Sequence, residues 1–274
     1  MMTKTYVVTG ATSGIGKALV EILSKDNLVF AGYRSESKGK ELGELSENVF
    51  PFYVDYAKPE TIAGAIEFIK SKCEKIDTLI NIAGCVVAGP VEKLSINEVK
   101  RQFDVNVFGH LQMAQGLVDI LGNGKIINVS SMASFGIFPF ISPYCASKRC
   151  LDMFFNSFII ENKRNIKVVS IKPGVIATPL WEKSIKENTE AMAHCEGYEK
   201  EMEFIAQNAR KNETKGLNVS KVVDIILKAD KLINPKLSYT VGRDAFFASL
   251  ISKLPQSIVN KLVKYGLKIR LKIK

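Results

Sequence analysis

The chain has 274 residues, and its 38 Lys and Arg against 28 Asp and Glu leave a formal charge of +10. Apolar residues make up 46% and charged residues 24%, which excludes a disordered chain and fits a soluble globular one. Nine prolines and 19 glycines exclude collagen-like and low-complexity architectures.

The first apolar run, residues 6–8, is too short for the h-region of a signal peptide. Strands are expected at 5–9, 28–33, 49–54, 76–82, 125–130 and 167–171. Between them the pattern predicts helices at about 15–25, 59–75, 95–121 and 142–162. Pro59 suits a first helical turn, and Ser95 with Glu98 three residues on reads as a capping box. Residues 126–147 carry no charge and are long enough to span a bilayer. Their serines, Asn128, Pro139 and Pro143 instead favour a buried strand followed by a loop. Short, nearly continuous Val- and Ile-rich strands alternating with helices define an α/β fold: one doubly wound domain on a parallel sheet, spanning 1–274.

Segment 179–220 breaks the alternation with many Lys and Glu among scattered apolar residues, and is expected to form a helical substrate lid. From 250 to 274 the chain is a basic amphipathic tail, with Ile258, Leu262, Tyr265 and Ile269 at helical spacing beside Val259 and Val263. Two readings stand: a peripheral membrane contact, or the preferred one, a last helix packed on the domain with a solvated basic face. No nucleic-acid motif accompanies the positive charge. The five cysteines form no CxxC, and His110 and His194 are the only histidines, so no metal site is expected. Reduced thiols fit a cytoplasmic location.

Residues 9–16 read TGATSGIG between the first strand and first helix, the setting in which a glycine cluster signals a dinucleotide site. Gly10 allows a tight turn, Gly14 lets backbone approach a pyrophosphate, and Gly16 lets helix and strand pack closely. The helix N-terminus then offers N–H groups to phosphate. The second strand ends Gly32-Tyr33-Arg34, with no carboxylate at its tip. Arg34 suits a 2′-phosphate, so NADP(H) is preferred and NAD(H) remains open; Lys17 and Lys38 add positive charge, and Glu36 counts against it.

Tyr144 and Lys148 stand one helical turn apart. A phenol ionises near 10, and bringing it to neutrality takes roughly 4 kcal/mol of differential stabilisation, which a neighbouring ammonium can supply in part. Ser131 ends the fifth strand and can donate to a substrate oxygen; Asn106 can hold a kink or a water beside Lys148. Val86, Val87, Phe135, Ile137, Phe138, Phe140, Ile141, Val175, Leu180 and Trp181 would give an apolar pocket.

These pieces together resemble the short-chain dehydrogenase/reductase family: TGATSGIG, Asp55, Asn81-Ile82-Ala83-Gly84, Asn106, Ser131, YCASK at 144–148, and Pro173-Gly174 with Thr178. The tail resembles, less specifically, the retinol- and hydroxysteroid-dehydrogenase-like branch. The resemblance implies an NAD(P)-dependent oxidoreductase with Asn106, Ser131, Tyr144 and Lys148 as its catalytic tetrad. It places the cofactor on Gly10, Thr12, Ser13, Gly14, Ile15, Gly16, Arg34, Asp55, Asn81, Ala83, Gly84, Tyr144, Lys148, Pro173, Gly174 and Thr178. In it Asp55 contacts the adenine, Thr178 the carboxamide, and Asn106 holds a water that links Lys148 to solvent. The expected partner is a small hydrophobic ketone or alcohol, steroid or retinoid first, with a 3-ketoacyl or small carbonyl substrate as the alternative. A non-catalytic dinucleotide sensor is the remaining reading. A homodimer or homotetramer is implied through helices 95–121 and 145–162.

Overall fold

The structure is a computed structural model, and it describes residues 3–180, 183–184 and 195–271. Trp181 and the expected lid residues 185–194 lie outside the described residues.

A seven-stranded sheet runs in the order β3-β2-β1-β4-β5-β6-β7, every neighbouring pair parallel. Its strands are β1 (Thr5–Val8), β2 (Leu28–Tyr33), β3 (Val49–Tyr53), β4 (Thr78–Asn81), β5 (Lys125–Val129), β6 (Lys167–Pro173) and β7 (Ser238–Val241). Side chains alternate along each strand. Tyr6 and Val8 enter one core and Val7 the other; Val29 and Ala31 go with the first, Phe30 with the second.

Helices cover both faces. On one lie α1 (Gly14–Leu23), α2 (Glu36–Gly43) and, later in the chain, the helix Val219–Lys231, contributing Leu19, Val20, Leu42, Val222 and Ile226. On the other, α3 (Pro59–Lys72), α5 (Gly109–Leu121) and α6 (Ser142–Glu161) contribute Ile62, Ile69, Leu117, Leu151 and Phe155. Each such aliphatic side chain gains roughly 1.5–3 kcal/mol on leaving water. The order reverses between β1 and β4, which opens a crevice at the carboxyl ends of those strands, where ligands bind in doubly wound sheets.

The single helix expected over 95–121 is interrupted. α4 (Ile96–Phe103) passes into a π-helical turn, Asp104–Phe108, before α5. Ser95 does precede α4, but its side chain caps nothing: Glu98 pairs with Arg101 at 2.9 Å instead of closing a capping box. α2 and β7 add elements that the periodicity did not predict. Past β6 follow α7 (Glu199–Lys215), α8 (Val219–Lys231), α9 (Arg243–Ile251) and α10 (Gln256–Leu271). α7 falls within the expected lid segment. Among the described residues no helix is long and apolar enough to cross a membrane.

Candidate active site

The crevice is a cleft of about 250 Å³ bounded by the glycine turn, the β2 tip, the β4 loop, the end of β5, α6 and the loop after β6. Gly10 and Gly14 take positive φ, 65° and 51°. A Cβ on Gly10 would sit 2.9 Å from the Ala83 nitrogen, and one on Gly14 3.2 Å from the Thr178 side chain. Ser13 stands at the N-cap of α1 without a side-chain cap bond, and the first turn holds no acid. The helix therefore presents first-turn N–H groups and positive potential at the turn.

Thr12, Ser13 and Ile15 join the two glycines on the cleft wall, and Arg34, Asp55, Ala83, Gly84, Pro173, Gly174 and Thr178 complete its expected lining. Two expected cofactor residues do not reach the cleft. Gly16 is absent from the lining because its role is packing: a Cβ there would collide with the Gly10 carbonyl. Asn81 is fully buried behind the wall, donating to Asn128 Oδ1 at 2.8 Å, so it supports the β4–β5 floor from below. The charges expected from Lys17 and Lys38 are spent on Glu21 and Glu41, at 3.9 and 2.7 Å.

Ser131, Tyr144 and Lys148 converge on the cleft. Ser131 caps a 3-10 turn, its Oγ accepting from Ala133 N at 3.1 Å. Burial pushes the Tyr144 hydroxyl up to about 12, and the nearby Ser131 hydroxyl only moderates this. Lys148 Nζ donates to the Val129 carbonyl at 3.0 Å and lies 5.8 Å from the Tyr144 ring centroid. Burial disfavours the Lys148 charge as well and brings it down to about 8. At neutral pH the arrangement holds a protonated phenol beside an ammonium.

Asn106 sits in the π-helical turn behind this group, fully buried. Its Oδ1 accepts from Cys85 N at 2.9 Å, and its Nδ2 donates to the Cys85 carbonyl and to Ser147 Oγ, both at 3.0 Å. Both amide hydrogens are thus committed, and the side chain pins the β4 loop to α6. A Cβ on Gly84 would fall 3.3 Å from Asn106 Oδ1 and 3.7 Å from Lys148 Nζ, so a bare glycine keeps this corner open.

Several supporting residues had no signature in the sequence. Thr9 Oγ1 accepts from Ile82 N at 3.0 Å, holding the β4 loop against the glycine turn. His110 is buried, its Nε2 2.8 Å from the Ala83 carbonyl, and burial brings its pKa down to about 3. A neutral imidazole donating from Nε2 satisfies that carbonyl. Ser130 lines the cleft with a buried hydroxyl that has no hydrogen-bond partner among the described residues. An unanswered hydroxyl, glycines at the closest approaches and an uncapped helix start all suit a bound dinucleotide.

The apolar pocket is smaller than expected. Of its expected lining, Leu180 faces the cleft, while Val86 packs with Tyr144, Ala133 and Cys145 against Phe138, Ile141 and Leu180. Val87 is core, and Phe135 instead lies under Lys172, 4.6 Å from Nζ to ring centroid. Phe140 takes a left-handed φ of 66° and meets the Tyr198 ring edge-on at 6.4 Å.

The short chain dehydrogenase family model matches residues 4–189, so the chain belongs to that family. It is an NAD(P)-dependent oxidoreductase acting on CH–OH and C=O groups. It is 34% identical to the NADPH-dependent 3-dehydrocapnine reductase of Ornithobacterium rhinotracheale over 65% of this chain and 67% of that one. It is 29% identical to the NADPH-dependent 1-acyldihydroxyacetone phosphate reductase of Saccharomyces cerevisiae over 98% of this chain and 92% of the yeast protein. Its fold matches the crystal structure of a Burkholderia phymatum short chain dehydrogenase/reductase in complex with NAD, with a TM-score of 0.81 at 17% identity over 95% of each chain.

Proposed function

We propose that this protein is an NADP(H)-preferring reductase of a bulky hydrophobic ketone, with Tyr144 as proton donor. The observation that carries the reading is the convergence of Ser131, Tyr144 and Lys148 on the cleft that the glycine turn bounds. When bound, the nicotinamide supplies the hydride. Tyr144, protonated at neutral pH, gives its proton to the carbonyl oxygen as charge develops there, and Ser131 donates a second hydrogen bond to that oxygen. Lys148 returns positive potential to the phenolate that remains. Asn106 is a positioning residue: it fixes the β4 loop against α6 so that Gly84 and Lys148 keep their spacing.

Arg34 at the β2 tip, with no carboxylate at 32–34, supports NADP(H) over NAD(H), as do the two NADPH-dependent relatives. The dinucleotide's phosphates would rest on the turn at Thr12, Ser13, Gly14 and Ile15, its adenine near Asp55, its ribose on Tyr144 and Lys148, and its carboxamide beside Thr178. The relatives' named substrates favour a chain-bearing lipid ketone over the steroid or retinoid expected from the sequence. Of the expected lid, the described Tyr198 meets Phe140 edge-on, which supports a lid over that side of the cleft. Exposed Phe108, Phe154 and Ile160, on the π-turn and α6, support a homo-oligomer. Cysteines without disulfides support a cytoplasmic setting.

NADPH consumption across acyl-chain ketones, 3-ketoacyl thioesters, steroid ketones, retinal and small carbonyls tests the reading. Highest kcat/KM on the acyl-chain ketones is expected. Turnover confined to small polar carbonyls would overturn the hydrophobic substrate.

A further inference from the structure

α10 packs one stripe on the protein and leaves another bare. Val259 is buried and Val263 and Leu267 half-buried, the stripe turned toward α7. Ile258, Leu262, Tyr265 and Ile269 follow at i+4, i+7 and i+11, a second apolar stripe on the same helix. Every one of them is exposed, Tyr265 to 67% and Ile269 to 59%. The helix thus packs on the protein through its valine stripe, and the stripe of Ile258, Leu262, Tyr265 and Ile269 takes no part in that packing. α9, four residues upstream across 252–255, adds Phe246 and Phe247, exposed to 52% and 59%.

The charge along this stretch of the chain has one sign. From Ala245 to the end there are seven Lys and Arg and no Asp or Glu. Lys261, Lys264 and Lys268 form a solvent-facing line beside the bare stripe, away from the valines. An isologous contact with a second copy would set these lysine lines close together with no carboxylate in the segment to answer them. A surface of lipid phosphates answers them directly, and an apolar stripe flanked by lysines has the form of a helix lying in a headgroup layer.

We propose that α10 docks this protein on an anionic lipid bilayer, Ile258, Leu262, Tyr265 and Ile269 entering the acyl boundary while the lysine line meets phosphates. The docking is independent of the catalytic reading, because it is measured without turnover.

Flotation of the full chain with phosphatidylcholine–phosphatidylglycerol vesicles tests it, with phosphatidylcholine vesicles as reference and NADPH binding as the check of folding. Strong flotation on the anionic vesicles is expected, weakened by salt. L262E/I269E and K261E/K264E/K268E should each lower the partition coefficient by about tenfold or more. Should L262E/I269E lose NADPH binding, Leu262→Ser is read in its place. No flotation of the wild type, equal flotation on uncharged vesicles, or apolar variants floating like the wild type would each overturn the proposal. So would a wild-type dimer in size exclusion that Leu262→Ser turns into monomer while flotation is unchanged, since a second copy would then cover the stripe.

Discussion

Tyr144 is pulled in opposite directions: burial holds its proton on, while the nearby Ser131 hydroxyl moderates that effect. Burial wins, which suits the proton donor proposed for the reduction. Arg34 lines the cleft at the β2 tip, and the proposed preference for NADP(H) rests on it, since a guanidinium there would answer a 2′-phosphate and nothing comparable on NAD(H). Arg34→Glu should lower kcat/KM with NADPH by about 10- to 100-fold and leave the NADH value nearly unchanged. Steady-state assays with both cofactors check this; an unaltered ratio would remove Arg34 from the site. His110 makes the fold acid-sensitive. An unfolded histidine takes a proton near 6.5, whereas His110 resists until about 3. Between these values the unfolded chain binds more protons, so stability falls as pH drops. Urea titrations should show a loss on the order of 2 kcal/mol from about pH 6.5 to about pH 5 beyond that of His110→Gln, whose amide can still donate to Ala83. Parallel pH dependences would contradict it.

At the scale of elements, the glycine turn was legible because its chemistry is local: a strand end, a positive φ and a helix start lie within eight residues, 9–16. Gly10→Ala should cost about 1–3 kcal/mol and weaken NADPH binding, because the added methyl meets the Ala83 backbone in a left-handed conformation. Thermal melts and a fluorescence titration measure the pair; a variant equal to wild type in both would contradict the close approach. Tyr144 and Lys148 were legible as a helical pair, but the balance of their proton affinities was not, because it depends on burial created by other elements. The π-helical turn was hidden in a continuous helical pattern: Asp104–Phe108 has ordinary helix-forming periodicity, and the extra residue per turn is stabilised by Asn106 reaching across to Cys85 and Ser147. α2 was missed because ESKGKELG buries only Gly39 and Leu42, and β7 because SYTV, at the sheet's edge, has Val241 as its only buried residue. The β4–β5 pair Asn81–Asn128 shows a motif residue that shapes the cleft floor from behind, without lining the cleft itself.

Across the whole molecule, the sheet separates chemistry from cohesion. The cleft lies at the carboxyl ends of the strands; at the opposite end, the buried Asp230 of α8 gathers Lys4, Tyr6 and Thr78 at 2.9, 2.8 and 2.6 Å, and its carbonyl accepts from Lys125. These bonds hold its carboxyl below the usual range despite burial. Asp230→Ala should destabilise the fold by about 3 kcal/mol and leave kcat near wild type below the melting transition. Equilibrium unfolding beside activity separates the two effects; a lost kcat in the folded variant would contradict the division. The account stands or falls at the cleft end. Single-turnover reduction of the best ketone by Tyr144→Phe, preloaded with NADPH, tests it most directly. The account predicts unchanged NADPH affinity and a rate lower by about 10²- to 10⁴-fold; a folded, NADPH-binding Tyr144→Phe that reduces the ketone at the wild-type rate would contradict it.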